Sequence, residues 1–579
     1  MDSSFESGAI YPAMSYLSTC YMGRMFRRLA ALAIVCACCC SKSDVHRPAG
    51  DAPPTTPTFS LIALAEVRGQ IGPCGCTSDP LGDISRTAQL IADARAKGPV
   101  LFVDAGSLLY SQNPIPAHMV AQEGLKADLL ASIYQNDLKV GAIGLGPMDI
   151  AEGPQKLRLP RTVSDATGQY AGLPGAIHEV GGAKVGVFGV IAKDAFAVET
   201  SDPVAAGKQQ VADLKQRGAQ VIVALVQASS KRDAVALIRA IGGIDFSIAG
   251  LGLAAPEPED VEIEPTKVDS GWLVIPANRG QVVSKIDVTM NGPGPFADAV
   301  GSAAAAAKIA RDDKELSSLD ADLAKFKADP TADPAFVATK QRERAQLAAQ
   351  RDALKAHPLA PPAHGSFFTL DQVRINKTLA CSVPAQSEVT KFYAAAGEAN
   401  VKAAAQQPVI PVAKGQATYV GQDACTDCHS DEAKFWQKTV HAQAWQTLVD
   451  RGQQFDYDCI GCHVTGFDKP GGSTLAQNDK LRDVQCETCH GPGSIHVAKG
   501  GEEKPLAIQK TPPDDLCASQ CHTHEHSDTF QHEAYLRDIT GPGHAPKFRT
   551  ALGDGPTGHD LRKAALDKAG RTLGAGCVR

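Results

Sequence analysis

Three stretches near the C-terminus, Cys425-Thr-Asp-Cys428-His429, Cys459-Ile-Gly-Cys462-His463 and Cys486-Glu-Thr-Cys489-His490, repeat the spacing C-x-x-C-H. Every part of that spacing has a use in holding haem. Two thiols add to the vinyl groups of the macrocycle, and the adjacent imidazole reaches the iron as proximal ligand. Paired cysteines are also half of a zinc site, but zinc sites rarely place a histidine straight after each second cysteine. The pattern reads as three covalently held c-type haems. A fourth stretch, Cys517-Ala-Ser-Gln-Cys521-His522, is one residue wider. The extra residue enlarges the loop without removing a reactive group, so a fourth c-type haem is expected. The alternative is a disulfide between the two thiols.

Six-coordinate iron needs a second ligand. With His429, His463, His490 and His522 used, the region still holds His441, His496, His524, His526, His532, His544 and His559. That surplus suits bis-histidine ligation, low potentials and electron transfer rather than oxygen binding. So short a region cannot build a large apolar core around four macrocycles, so the haems must supply much of it.

The stretches "YVGQDACTDCHSDEAKFWQKTVHAQAW", "CIGCHVTGFDKPGG", "VQCETCHGPGSIHV" and "HEHSDTF" resemble the tetrahaem cytochrome c family named for the carrier of electrons from hydroxylamine oxidation, over about residues 419–545. The resemblance implies distal ligands at His441, His496 and His526, with His544 of "DITGPGHAPKF" as the substitute for the last. Three distal ligands for four haems imply one five-coordinate iron, which in that family belongs to the second motif. The haem on Cys459 and Cys462 would then be open to a small ligand such as nitric oxide. A reductase or oxidase of a small nitrogen or sulfur compound is therefore the alternative to an electron carrier.

The elements that must carry these groups begin with an export signal. In "MGRMFRRLAALAIVCACCCSKS", Arg24, Arg27 and Arg28 precede an apolar run from Leu29 to Ala37. The run is too short to span a bilayer, and the order of charge, apolar run and small residues is that of an export signal over residues 1–40. "VCAC" resembles a lipobox that would leave Cys38 as a lipid-bearing N-terminus. An exported, periplasmic or outer-membrane-attached lipoprotein can hold both disulfides and covalent haem. Its expected partners are redox proteins of the cell envelope. The net charge of −7 gives no basic field for nucleic acid.

Residues 41–58 are a Pro-rich tether. From Phe59, apolar runs such as "FSLIALAEV", "PVLFVDAG", "LKVGAIGL", "AKVGVFGVI", "AQVIVALVQ" and "IDFSIAGLG" alternate with amphipathic stretches such as "SRTAQLIADARAKG" and "RDAVALIRAIGG". This alternation predicts an α/β domain over 59–298, closed by the β-rich "GWLVIPA" and "GQVVSKIDVTM". Ile309, Leu316 and Leu323 keep a heptad stripe that Pro330 and Pro334 interrupt, which predicts a helical hairpin over 299–364. "SFFTLDQVRI" opens a segment, 365–400, that returns to the α/β body. A linker (401–418), the mainly α multihaem region (419–545) and a tail (546–579) complete the chain.

The order of segments from 59 to about 292 resembles the calcineurin-like metallophosphatase sandwich of the 5′-nucleotidase/UDP-sugar hydrolase family, which holds two metals. Aligned by motif, this chain has "AEVRGQ", "DAGS", "GLGP", "LVQ" and "GLGL". These place Arg68, Ser107, Leu145, Gly146, Gln227, Leu251 and Leu253 where the family has ligands and leave Glu66 as the sole residue able to hold a metal. Without convergent O and N donors no hydrolytic water is activated, so an inactive phosphatase-like domain is expected. Its "GQIGPCGCTSDPLGD" carries Cys74 and Cys76, as relatives of this degenerate type do. A C-x-C pair at a helix start suits a redox-active thiol role. A static disulfide, or pairing with Cys381 or Cys577, is the other reading.

Overall fold

A computed structural model describes residues 58–73, 77–78, 80–299, 302–328, 334–356, 362, 364–407, 410–504, 507–523, 526–569 and 577. Cys38, Cys74, Cys76 and His524 lie outside these residues.

The strands are β1 (Phe59–Leu64), β2 (Val100–Asp104), β3 (Ala142–Ile143), β4 (Ala176–Val180), β5 (Ala183–Ile191), β6 (Val221–Gln227), β7 (Phe246–Gly250), β8 (Thr266–Val268), β9 (Gly271–Val274), β10 (Val282–Thr289), β11 (Ala297–Asp298) and β12 (Phe367–Arg374). They form two six-stranded sheets, in the orders β11-β12-β10-β1-β2-β3 and β4-β5-β6-β7-β9-β8. β1, β2 and β3 are parallel, β10 adds antiparallel to β1, and β12 adds antiparallel to β10. In the second sheet β5, β6, β7 and β9 are parallel, with antiparallel β4 and β8 at the edges.

Alternation along the strands decides the layers, since successive side chains point to opposite faces. Phe59, Leu61 and Ala63 of β1 meet Val221, Val223 and Leu225 of β6 in the core between the sheets. Phe246 packs edge-on to Phe368 there, with centroids 5.1 Å apart. Ile62 and Leu64 face the other way, under α1 (Ile84–Lys97) and α2 (Val120–Asn136). Ile222, Ala224 and Val226 face outward under α3 (Pro203–Gln216) and α4 (Lys231–Ile241). The result is the helix–sheet–sheet–helix sandwich that the metallophosphatase resemblance implied. One expected strand is cut short. "LKVGAIGL" yields only Ala142–Ile143, after which Gly144 passes so close to Ala105 that a Cβ there would collide with its carbonyl oxygen.

α5 (Ser302–Ala328) and α6 (Pro334–Ala356) pair antiparallel, with Phe326 against Phe336 and Asp320 bound to Arg344. β12 then runs antiparallel to β10 from Val282↔Arg374 to Thr289↔Phe367. α7 (Val383–Ala404) lies across α1 and α2 and passes through position 400 into the stretch expected to be linker. Asn400 is fully buried there, and "AAGEANVKAAA" is alanine-rich and has no proline, which outweighs the single Gly397.

The remaining helices are short: α8 (Asp423–Thr426), α9 (Ser430–Trp436), α10 (Ala444–Val449), α11 (Tyr457–His463), α12 (Cys486–His490), α13 (Ser494–Ala498), α14 (Leu516–Gln520), α15 (His532–Ile539), α16 (Pro546–Ala551) and α17 (Gly558–Ala569). The expected tail is not loose. α17 packs on α15, Arg537 donates to the Leu552 and Pro556 carbonyls, and Cys577 forms a disulfide with Cys381, just before α7. Neither of those two cysteines is therefore a partner for Cys74 or Cys76.

Candidate haem centre

Each attachment motif lies on one helical turn. Cys425 is on α8, and the His429 N–H returns to the Cys425 carbonyl at 2.9 Å. α11 carries Cys459, Cys462 and His463 behind the N-cap Asp456, whose side chain accepts from the Asp458 N–H at 2.9 Å. α12 runs from Cys486 to His490. In the wide fourth motif the His522 N–H bonds to the Cys517 carbonyl at 2.7 Å. The first cysteine's carbonyl thus receives the histidine N–H as in the first motif, through a turn one residue wider. Cys517 and Cys521 are not bonded to each other.

The proximal imidazoles are oriented through Nδ1. His463 Nδ1 faces the Ala444 carbonyl at 2.5 Å, His490 Nδ1 the Gln509 carbonyl at 2.7 Å, His522 Nδ1 the Ser527 hydroxyl at 3.1 Å and His429 Nδ1 the Glu432 carboxylate at 3.4 Å. A second partner on Nδ1 fixes the ring and directs Nε2 to a metal. His496 has the same arrangement, with Nδ1 2.8 Å from Glu503 Oε1.

Two imidazoles on one iron, each bonded at about 2 Å, put their ring centroids about 6 Å apart. The His429 and His496 centroids are 6.5 Å apart at an interplanar angle of 28°. Those of His441 and His522 are 6.2 Å apart at 43°. Burial, and then the neighbouring His522, push His441 down to about 4, which keeps its nitrogen unprotonated for a metal. His544 lies within electrostatic reach of His490, while His526 bonds through Nδ1 to Thr523 in the turn after His522. The motifs also associate in pairs. The Cys425 thiol is within hydrogen-bond reach of the Cys486 thiol, and Cys462 of Cys521, with no disulfide between them. Burial pushes Cys489 up to about 11.

These residues fit c-type haem. Cys462, Cys489 and Cys521 line a cavity of about 230 Å³, together with Tyr419, Val464 and Phe467. The apolar cluster around it is small: Ala404, Trp445, Ile460, Val464 and Leu475. A macrocycle would supply apolar material that this small cluster lacks. When bound, haem supplies a one-electron iron couple. The chain's own contribution is to attach it, to orient its axial nitrogens and to limit water around it.

Several supporting residues look like spacers in the sequence. Glu487, inside the third motif, is 3% exposed and accepts from the N–H groups of Val420, Gly421 and Gly493 at 2.6–3.0 Å. It ties the start of the haem region to the Gly-Pro-Gly loop before His496. Gln485 accepts from the Gln422 N–H at 2.8 Å and donates to the Arg482 carbonyl at 2.8 Å. Their buried positions inside or beside the C-x-x-C-H turn are the only sequence-level hint, and it is a weak one.

The metallophosphatase position in the body is closed. Glu66 Oε2 meets Arg68 Nε at 3.2 Å, and Glu66 Oε1 accepts from Gln227 Nε2 and the Gly252 N–H, both at 3.1 Å. The Arg68 guanidinium also donates to the Gly252 carbonyl. Burial pushes the Glu66 carboxyl up, opposed by Arg68 and these donors. A side chain at Gly146 would collide with Ser107, and one at Gly250 with Gln227. No group of three or more His, Cys, Asp or Glu able to hold a metal ion occurs among the described residues. Glu66 is held by the Arg68 guanidinium, and these residues offer no donor set for two metals.

Residues 424–491 match the family model described as Cytochrome c554 and c-prime. Cytochrome c-554 of Nitrosomonas europaea is 34% identical over 119 residues, 17% of this chain and 51% of that protein, so the chain spans about half the length of the relative it matches. The solved reduced state of cytochrome c554 from the same organism is similar over 24% of this chain and 80% of that one, at 24% identity and a TM-score of 0.16. The 5′-nucleotidase precursor of Thermus thermophilus is similar over 63% of this chain and 62% of that one, at 16% identity and a TM-score of 0.38. The C-terminal region is thus similar to c-type cytochromes of the c554 and c-prime family over residues 424–491, in a chain whose α/β body has two six-stranded sheets.

Proposed function

We propose that this protein is an exported cytochrome with four c-type haems that carries electrons between redox proteins of the cell envelope, anchored through a lipid on Cys38. Its α/β body is without hydrolytic activity and serves as a rigid docking scaffold. The observation that carries the reading is the pair of facing histidines, His429 with His496 and His441 with His522, at the separation that one iron requires. Bis-histidine iron favours outer-sphere electron transfer over ligand binding. His522 takes part in one of these pairs, which supports a working fourth site at Cys517 and Cys521. The closed Arg68–Glu66 centre supports the absence of phosphatase chemistry.

The test is to mature the full chain with a cytochrome c assembly system, then count haems by pyridine haemochrome and intact mass. Four haems are expected; three, with Cys517 and Cys521 unmodified, would sink the fourth site. Ferrous spectra with nitric oxide separate a carrier, which stays unchanged, from a small-molecule reductase, which forms a nitrosyl. Phosphatase and nucleotidase assays with added divalent metals are expected to show no turnover.

A further inference from the structure

The α/β body touches the second haem motif through a buried polar cluster that haem attachment does not require. Gln122, Glu123 and Asn400 are fully buried, and Lys126 is 3% exposed. Lys126 Nζ lies 2.6 Å from Glu123 Oε1 and 2.8 Å from Asp458 Oδ2. Gln122 Nε2 donates to Asp456 Oδ1 at 2.7 Å and to Asp458 Oδ2 at 3.3 Å, and its Oε1 accepts from the Tyr457 N–H at 3.0 Å. Asn400 Nδ2, from α7, donates to Gln122 Oε1 at 2.7 Å and to the Phe455 carbonyl at 2.8 Å. Asp456 caps α11, and Asp458 precedes Cys459. The contacts from α2 and α7 thus converge on the start of the helix that bears Cys459, Cys462 and His463.

Burying an ammonium is costly unless it is well paired, and apolar side chains would join two surfaces more cheaply. Burial works against the Lys126 ammonium, yet Asp458, Glu123 and Asp456 together hold it above its ordinary value, so it stays charged. A fixed charge near a redox centre acts on the centre's charge state. At about 10 Å and an effective dielectric constant of about 20, one unit charge changes the reduced-to-oxidised ratio roughly tenfold.

We propose that Lys126 tunes the second haem electrostatically: its buried ammonium, held against Asp458 at the start of α11, raises that haem's reduction potential. The proposal rests on the reading that haem is attached at Cys459 and Cys462. The body would then be a tuning element for one haem as well as a scaffold.

Spectroelectrochemical titration of the matured full chain tests it, with the second haem's wave assigned as the one displaced in His463→Met. Lys126→Met is expected to lower that wave by about a tenfold change in the reduced-to-oxidised ratio, about 59 mV for one electron. Asp458→Asn is expected to raise it by a similar factor, and the double variant to return near wild type, with the other waves in place. Both single variants break the ion pair, so a merely structural role moves the wave the same way in both. Equal-sign shifts, or no shift at an unchanged haem count, would overturn the proposal. Lys126→Arg keeps the charge and is expected to leave the wave in place; a shift there assigns the effect to geometry and also overturns it. A wild-type chain whose mass lacks haem at Cys459 and Cys462 defeats the underlying haem reading instead.

Discussion

The α/β body and the haem region fill their interiors with different material. The body stacks Phe59, Phe102, Phe188, Phe246 and Phe368, all nearly inaccessible, with aliphatic residues into three apolar layers. The haem region buries one small apolar cluster and otherwise relies on anchored polar groups such as Glu487, Thr465 and Ser473. The same contrast holds at their chemical centres. In the body the buried Glu66 is paired with the Arg68 guanidinium, whereas each motif of the haem region sets a histidine directly after its second cysteine. One part is complete as a polypeptide; the other is completed by what it binds.

The largest effect should come from withholding haem. Chain made without a maturation system should be cut by protease within residues 419–545 roughly 100-fold faster than the matured protein, because binding free energy there is folding free energy. The body should survive as an intact fragment. Equal rates with and without haem, read by mass spectrometry, would break the comparison.

Next comes a cavity in the body. Phe246→Ala removes a ring packed against Phe296 and Phe368 and is expected to cost about 4 kcal/mol. Denaturant unfolding of the matured chain followed by circular dichroism measures it. The haem Soret band should be unchanged at low denaturant; a Soret shift would mean that the two interiors are not independent. Arg68→Met should cost less, about 2 kcal/mol at neutral pH. Glu66 loses its cation but keeps the Gln227 and Gly252 donors. If this variant is as stable as wild type, the Arg68 guanidinium is not what holds Glu66.

How much of this was readable from residues alone differs along the same line. The body's layers follow from alternation, as in "FSLIALAEV" and "AQVIVALVQ", because each strand's two faces meet different neighbours. The close approach of Gly144 to Ala105 was not readable, since it depends on another element. Haem attachment was legible because its chemistry demands adjacent residues. The pairing of histidines is not local: His441 lies by His522, and His544 within electrostatic reach of His490. Lys126 and Gln122 look like ordinary polar residues of "VAQEGLKADLL". Only the docking of α11 shows that they are buried.

The smallest effect at neutral pH sharpens the point that the body carries its own buried charges. Asp104 accepts from the Tyr134 hydroxyl and the Gly106 N–H, both at 2.7 Å, and burial pushes its carboxyl up to about 7. A carboxyl whose folded value is raised holds its proton in the native state at pH values where the unfolded chain has lost it. Its contribution to stability is therefore full below about pH 4 and is lost as pH rises to about 7. The slope from this one group is at most about 1.4 kcal/mol per pH unit. Asp104→Asn is neutral throughout and can still accept from Gly106, so it should remove that slope while the wild type keeps it. Parallel wild-type and variant curves between pH 4 and 7, from denaturant midpoints with the haem spectrum as internal control, would mean that Asp104 is ionised in the folded body. The Tyr134 hydroxyl would then be donating to a buried carboxylate rather than sharing a proton-bearing carboxyl.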